Sequence, residues 1–181
     1  MALLPIYSCF HPILKKKTEK VDIIDENIKI LIKDMFDTMY HADGIGLAAN
    51  QVGVQKSIIT IDVAAANSNK NLLPLVLINP EISELSEEEV EYSEGCLSVP
   101  TLHEIVIRPK IIQISYYDQQ MREHKIEADE LLARVIQHET DHLNGVLFYE
   151  KLTPLRRALA RTKLKKIQRG QIVPDYEMIY K

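Results

Sequence analysis

Two cysteines in 181 residues, Cys9 and Cys96, exclude a disulfide framework. The longest apolar run, Leu72 to Ile78, has seven residues and contains Pro74, far short of the roughly 20 that span a bilayer. Glycine is scarce as well, and Gly44-x-Gly46 lacks both the third glycine of a dinucleotide turn and the lysine of a P-loop, which argues against phosphate binding. The first residues carry neither a basic-then-apolar secretion signal nor an Arg-rich transit segment. No internal repeat or linker divides the chain. What is present, 46% hydrophobic and 27% charged residues, suffices for one domain over 1–181 with an adequate core.

The run Gln137-His-Glu-Thr-Asp-His-Leu-Asn-Gly145 contains H-E-x-x-H. On a helix, residues four apart lie one turn above each other, so His138 and His142 point the same way and can share one divalent ion. Glu139 then sits beside the ion, placed to act as general base on water. Apolar spacing supports the helix, since Leu131, Val135, His138 and His142 form one stripe and Leu132, Ile136, Glu139 and Leu143 the next. Asp129 is an N-cap candidate, Glu130 suits the positive end of the dipole, and Asn144-Gly145 is a helix exit. These signals predict a helix over 130–143.

A tetrahedral catalytic site needs a third protein ligand and an open position. The metzincin pattern runs as far as Gly145 and then fails, because Phe148 stands where its third histidine belongs. Downstream, Thr162 occupies the region of a thermolysin-type glutamate, and Glu150 lacks a helical context. Upstream, Glu94-Gly-Cys-Leu-Ser-Val-Pro100 offers Cys96 in a loop whose Gly95 permits close approach. A lone cysteine is more often a small buried hydrophobe, which is the reading for Cys9. A zinc endopeptidase is the alternative that this motif leaves open.

Three blocks, Gly44-Ile-Gly-Leu-Ala-Ala-Asn-Gln51, Glu94-Gly-Cys-Leu-Ser98 and Gln137-His-Glu-Thr-Asp-His142, occur in this order. Together they resemble the signature of the bacterial peptide deformylase family, and with Leu4-Pro5-Ile6 and Leu147-Phe148 the resemblance covers almost the whole chain. It implies a metal-dependent hydrolase that removes the N-formyl group from formyl-methionine of nascent polypeptides. By resemblance Cys96, His138 and His142 hold one divalent ion, ferrous iron in the family, with zinc, nickel or cobalt able to substitute. Glu139 is the implied general base, and the Leu97 N–H and Gln51 amide are the implied donors to the carbonyl oxygen. Ile45, Gly46, Glu94, Gly95 and Arg108 would lie along the substrate peptide, although Arg108 also reads as an exposed strand-end charge. Leu131 and Val135 share the His138 stripe and are expected to wall the methionine slot, or simply to be core. A thiolate ligand would belong in a reducing compartment, so the cytoplasm is the expected location.

Elsewhere, Ile24, Ile28, Leu31, Ile32, Met35, Phe36 and Met39 predict an amphipathic helix ending before Asp43-Gly44. Strands are predicted at 57–62, 73–79, 84–92, 104–108 and 111–117, with a polar turn at 67–71. Helix, strands, helix in that order gives an α+β fold, with antiparallel or mixed sheets packed around the H-E-x-x-H helix. Residues 154–170 hold seven basic side chains and no acid. Setting those aside leaves 15 basic against 26 acidic residues, so a basic helix sits on an acidic body. The resemblance associates that helix with ribosome contact near the nascent-chain exit; the alternative is a solvated face with Leu155, Leu159, Leu164 and Ile167 packed beneath. No membrane contact and no sequence-specific nucleic-acid binding are expected. Met121 and Glu130 stand where the family often has glycine, Cys9-Phe-His-Pro12 replaces a more usual turn, and Arg134 is positioned to alter the pocket rim. A silent ribosome-binding relative is a further alternative, against which Gln51, Cys96 and Glu139 all argue.

Overall fold

A computed structural model describes residues 2–64 and 73–180. The chain runs through β1 (Ile6–Tyr7), α1 (Glu26–His41), β2 (Gly46–Ala48), β3 (Ile58–Ile61), β4 (Leu75–Leu85), β5 (Glu89–Cys96), β6 (Val99–Pro109), β7 (Ile112–Tyr117), β8 (Glu123–Ala128), α2 (Glu130–Leu143), α3 (Pro154–Gln168) and β9 (Met178–Ile179). Strands β2-β3-β4-β7-β8 form an antiparallel sheet, β5 and β6 a long hairpin, and β1 and β9 a parallel pair. The α+β class with mixed sheets is therefore the observed one.

Each helix can be traced to local chemistry. Asp25 caps α1, its carboxylate accepting from the Ile28 N–H at 2.9 Å, and Ile32, Met35 and Met39 turn one stripe inward onto Leu47, Ile58 and Ile78. The second helix spans the predicted 130–143, and Ala133, Ile136 and Leu143 pack on the sheet residues Ile59, Ile61, Leu77, Ile112 and Ile114. Asp129 occupies its N-cap position but makes no side-chain cap bond. Glu130 and Met121 both have positive φ, 46° and 57°, so the two positions read as departures from glycine are left-handed turns. Thr153 caps α3 and Pro154 begins it.

The strand predictions need correction: β1, β2 and β9 fall outside them, and β4 continues past the predicted 79 to Leu85. Residues 84–92 are not one strand: Glu84 and Leu85 end β4, and a turn follows in which the Ser86 hydroxyl donates to the Glu88 carbonyl at 2.8 Å. β6 begins at Val99, before the predicted 104, and β8, with apolar Ile126 between charged neighbours, was not predicted. Beneath α3 only Ala160, Leu164 and Ile167 pack inward, while Leu155 and Leu159 are 72% and 70% exposed. The predicted turn at 67–71 lies outside the described residues. Among those described, no helix is long and apolar enough to cross a membrane.

Candidate metal centre and peptide cleft

Helix α2 enters the interior with His138 and His142 one turn apart, ring centroids 5.1 Å from each other. Cys96 comes from the end of β5, where the hairpin register shifts after Gly95. The absence of a Cβ at Gly95 lets the exposed His103 ring lie against the backbone there, since a Cβ would stand 2.6 Å from its Nε2. Cys96 Sγ lies 3.1 Å from His142 Nε2, and one donor atom from each of Cys96, His138 and His142 falls within 4.8 Å of the other two. Metal–sulfur and metal–nitrogen bonds of about 2.3 and 2.1 Å put tetrahedral donors about 3.5 Å apart. The three side chains therefore fit a small divalent ion, and their thiolate and imidazole chemistry suits a transition metal.

Glu94 fixes the orientation of this set. Its carboxylate accepts from His138 Nδ1 at 2.9 Å, leaving Nε2 for the ion. The same two oxygens accept from Arg108 Nε and Nη2 at 2.7 and 2.9 Å and from Arg134 Nη1 at 2.7 Å. Burial opposes the charge on Glu94, but the hydrogen bonds from His138 and Arg108 outweigh it and hold the carboxyl well below the usual carboxylate range. Arg108 continues to Asp141 of α2, so hairpin and helix are joined through buried charge. It is 3% exposed and sits behind Glu94, neither along the cleft nor at an exposed strand end. Arg134 also donates to the Val90 and Val106 carbonyls. The sequence marked it as a departure without revealing this role, and gave no sign of Asp141.

The remaining candidates line one cleft of about 540 Å³ that opens over the cluster. Ile45, Gly46, Gln51, Glu94, Gly95, Leu97, Leu131, Val135 and Glu139 all border it. Gly46 allows β2 to pass against α2, since a Cβ there would stand 2.7 Å from both Glu139 Oε1 and Val135 Cγ1. Burial pushes the Glu139 carboxyl up to about 7, and its Oε2 has no hydrogen-bond partner among the described residues. Gln51 is locked by its Oε1, which accepts from Ala48 N at 2.8 Å, so its Nε2 faces Ser98 Oγ at 3.2 Å and Cys96 Sγ at 3.7 Å. Asn50, missed in the sequence, donates to the His142 carbonyl and ties the first block to α2.

Comparison with known proteins agrees with this arrangement. A family model for polypeptide deformylase matches residues 3–158. Peptide deformylase of Cellvibrio japonicus is 47% identical over 166 residues, covering 92% of this chain and 96% of the relative. That of Salinibacter ruber is 41% identical over 186 residues, covering 99% and 95%. Among solved structures, a plant peptide deformylase superposes with a TM-score of 0.88 at 35% identity, covering 98% of each chain. The enzyme from Legionella pneumophila gives 0.83 at 40% identity, covering 94% of this chain and 98% of that one. The endopeptidase alternative finds no support in these matches. With the metal-ligand set, the carboxylate beside it and the cleft all in one place, the chain belongs to the polypeptide deformylase family.

Proposed function

We propose that this protein hydrolyses the formamide bond of N-formyl-methionyl nascent polypeptides, releasing formate and a free amine. The observation that carries this reading is the ligand set of Cys96, His138 and His142, brought together where Cys96 and His138 border the cleft beside Glu139 and Gln51. Cys96, His138 and His142 would hold one divalent ion, ferrous iron by the family resemblance, which when bound would supply Lewis-acid charge that makes water more acidic and a carbonyl more electrophilic. Zinc, nickel or cobalt suits the same donors.

The chain's own groups do the rest. Glu139, buried and with one oxygen unpartnered, takes a proton from the attacking water as the oxygen adds to the formyl carbon. It returns that proton to the departing nitrogen as the carbon–nitrogen bond breaks. Negative charge gathers meanwhile on the carbonyl oxygen, and the Gln51 side-chain N–H and the Leu97 backbone N–H are the donors we assign to it. Gln51 suits the task because its own carbonyl is already held by Ala48.

Binding of the peptide follows from the edge position of β2. That strand pairs with β3 on one side and is outermost in its sheet, so Ile45 and Gly46 offer main chain to an extended substrate. Leu131 and Val135 supply the apolar wall for the methionine side chain. On α3, Arg161, Lys165, Lys166 and Arg169 are exposed and unpaired among the described residues, which supports ribosome contact through 154–170. A thiolate ligand and a nascent substrate both fit a cytoplasmic enzyme.

The test is formate release from formyl-Met-Ala-Ser by protein purified anaerobically with ferrous iron, with metal content measured on the same sample. An internally cleavable unformylated peptide runs beside it. Formate release with the second peptide intact is expected. Cleavage of the second peptide alone would establish a protease, and a metal-loaded protein inert on both would be a silent relative.

A further inference from the structure

Past α3, residues 171–180 lead the chain back toward the cleft. Gly170, left-handed at φ 66°, turns the chain out of α3. The segment is then fastened at its far end: β9 pairs with β1, the Ile6 N–H donating to the Glu177 carbonyl at 2.9 Å and the Ser8 N–H to the Ile179 carbonyl at 2.7 Å. Between these anchors Pro174, Asp175 and Tyr176 border the cleft beside Leu97.

Tyr176 makes the decisive contact. Its hydroxyl donates to the Leu97 carbonyl at 2.7 Å, on the two-residue turn that follows Cys96. The Cys96–Val99 pair closes the turn, and two hydrogen bonds hold Ser98: its carbonyl accepts from the Cys9 N–H at 2.8 Å, and its hydroxyl meets Gln51 Nε2 at 3.2 Å. Burial pushes the Tyr176 phenol up, so it remains a donor throughout the neutral range. The bond fixes the Leu97–Ser98 peptide, and through the Leu97 Cα it limits rotation of the adjoining Cys96–Leu97 peptide, which carries the Leu97 N–H.

We propose that the C-terminal strap is part of the deformylase site and that Tyr176 is a positioning residue, holding the Leu97 segment so that its N–H meets the developing oxyanion. This rests on the deformylase reading above. A misdirected donor weakens transition-state binding more than substrate binding. The loss should therefore fall on kcat.

The experiment compares full-length, metal-loaded Tyr176→Phe and Tyr176→Leu with the parent on formyl-Met-Ala-Ser, together with metal content and amide hydrogen exchange at Leu97 without substrate. Both variants are expected to lower kcat about tenfold with KM within about twofold, to keep full metal, and to speed Leu97 exchange. If Phe matches the parent in kcat and exchange while Leu does not, the ring only packs and the proposal is overturned. If neither variant changes either readout, it is overturned as well. A parent protein without formate release would sink the deformylase reading itself, and the exchange data, needing no turnover, would still decide whether Tyr176 holds the turn.

Discussion

Removing the Glu139 carboxylate while keeping both neighbouring imidazoles separates holding an ion from using it. Glu139→Ala is expected to retain stoichiometric metal and lose about 10²–10⁴ in kcat, the span of a lost general base. Cys96→Ala should instead lose metal, and normal metal content in that variant would remove Cys96 from the ligand set. The two cysteines differ in a second measurable way. Cys9 is 1% exposed and burial pushes its thiol up to about 12, whereas Cys96 borders the open cleft. A thiol-reactive dye should therefore count one thiol in native metal-free protein, none in the metal-loaded form and two in denaturant. Two reactive native thiols would contradict the burial of Cys9.

At the scale of elements, the buried cluster of Glu94, Arg108, Arg134 and Asp141 welds the β5–β6 hairpin to α2. Because the folded-state pKa of Glu94 lies below its unfolded value, its contribution is fully present above about pH 4.5 and is lost as pH falls toward the folded value. In metal-free protein, Glu94→Gln should cost about 3–5 kcal/mol at pH 7, as two buried guanidinium groups lose their carboxylate. It should also flatten the fall in stability below pH 4.5; urea titrations at pH 7 and pH 4 check both. A smaller change is expected where α2 begins. Glu130 sits at φ 46° without help from an Asp129 cap, so Glu130→Gly should leave stability equal or raise it by up to about 1 kcal/mol, and Glu130→Val should lower it. These cases also mark how far the sequence could be read. The metal helix was legible because its spacing repeats every three or four residues and its chemistry lies within five positions. The cluster behind it was not, since its members span Glu94 to Asp141 and meet only after the hairpin folds onto α2. Strand β8 was hidden by its charged residues, and the strap by having two short strand residues paired across almost the whole chain.

Over the whole molecule, the proposed ribosome contact rests on the division of charge. The seven basic residues of 154–170 oppose a remainder with 11 more acids than bases, so attraction is confined to one helix while the body repels. Arg156 and Lys163 are occupied, by Glu104 and by the Thr101 carbonyl, and they anchor α3 to the hairpin. The exposed Leu155 and Leu159 on the same helix give it an apolar component that a merely solvated face does not need. The combined substitution Lys165→Glu, Lys166→Glu and Arg169→Glu should therefore weaken co-sedimentation with ribosomes at least about tenfold at 0.1 M salt, and binding by the parent should fall steeply as salt rises. Turnover of formyl-Met-Ala-Ser should stay within about twofold, because these three side chains do not border the cleft. Unchanged sedimentation would reduce α3 to a solvated surface; a parallel loss of peptide turnover would mean that the helix acts on the catalytic domain, for which the strap that follows Gly170 provides the physical connection.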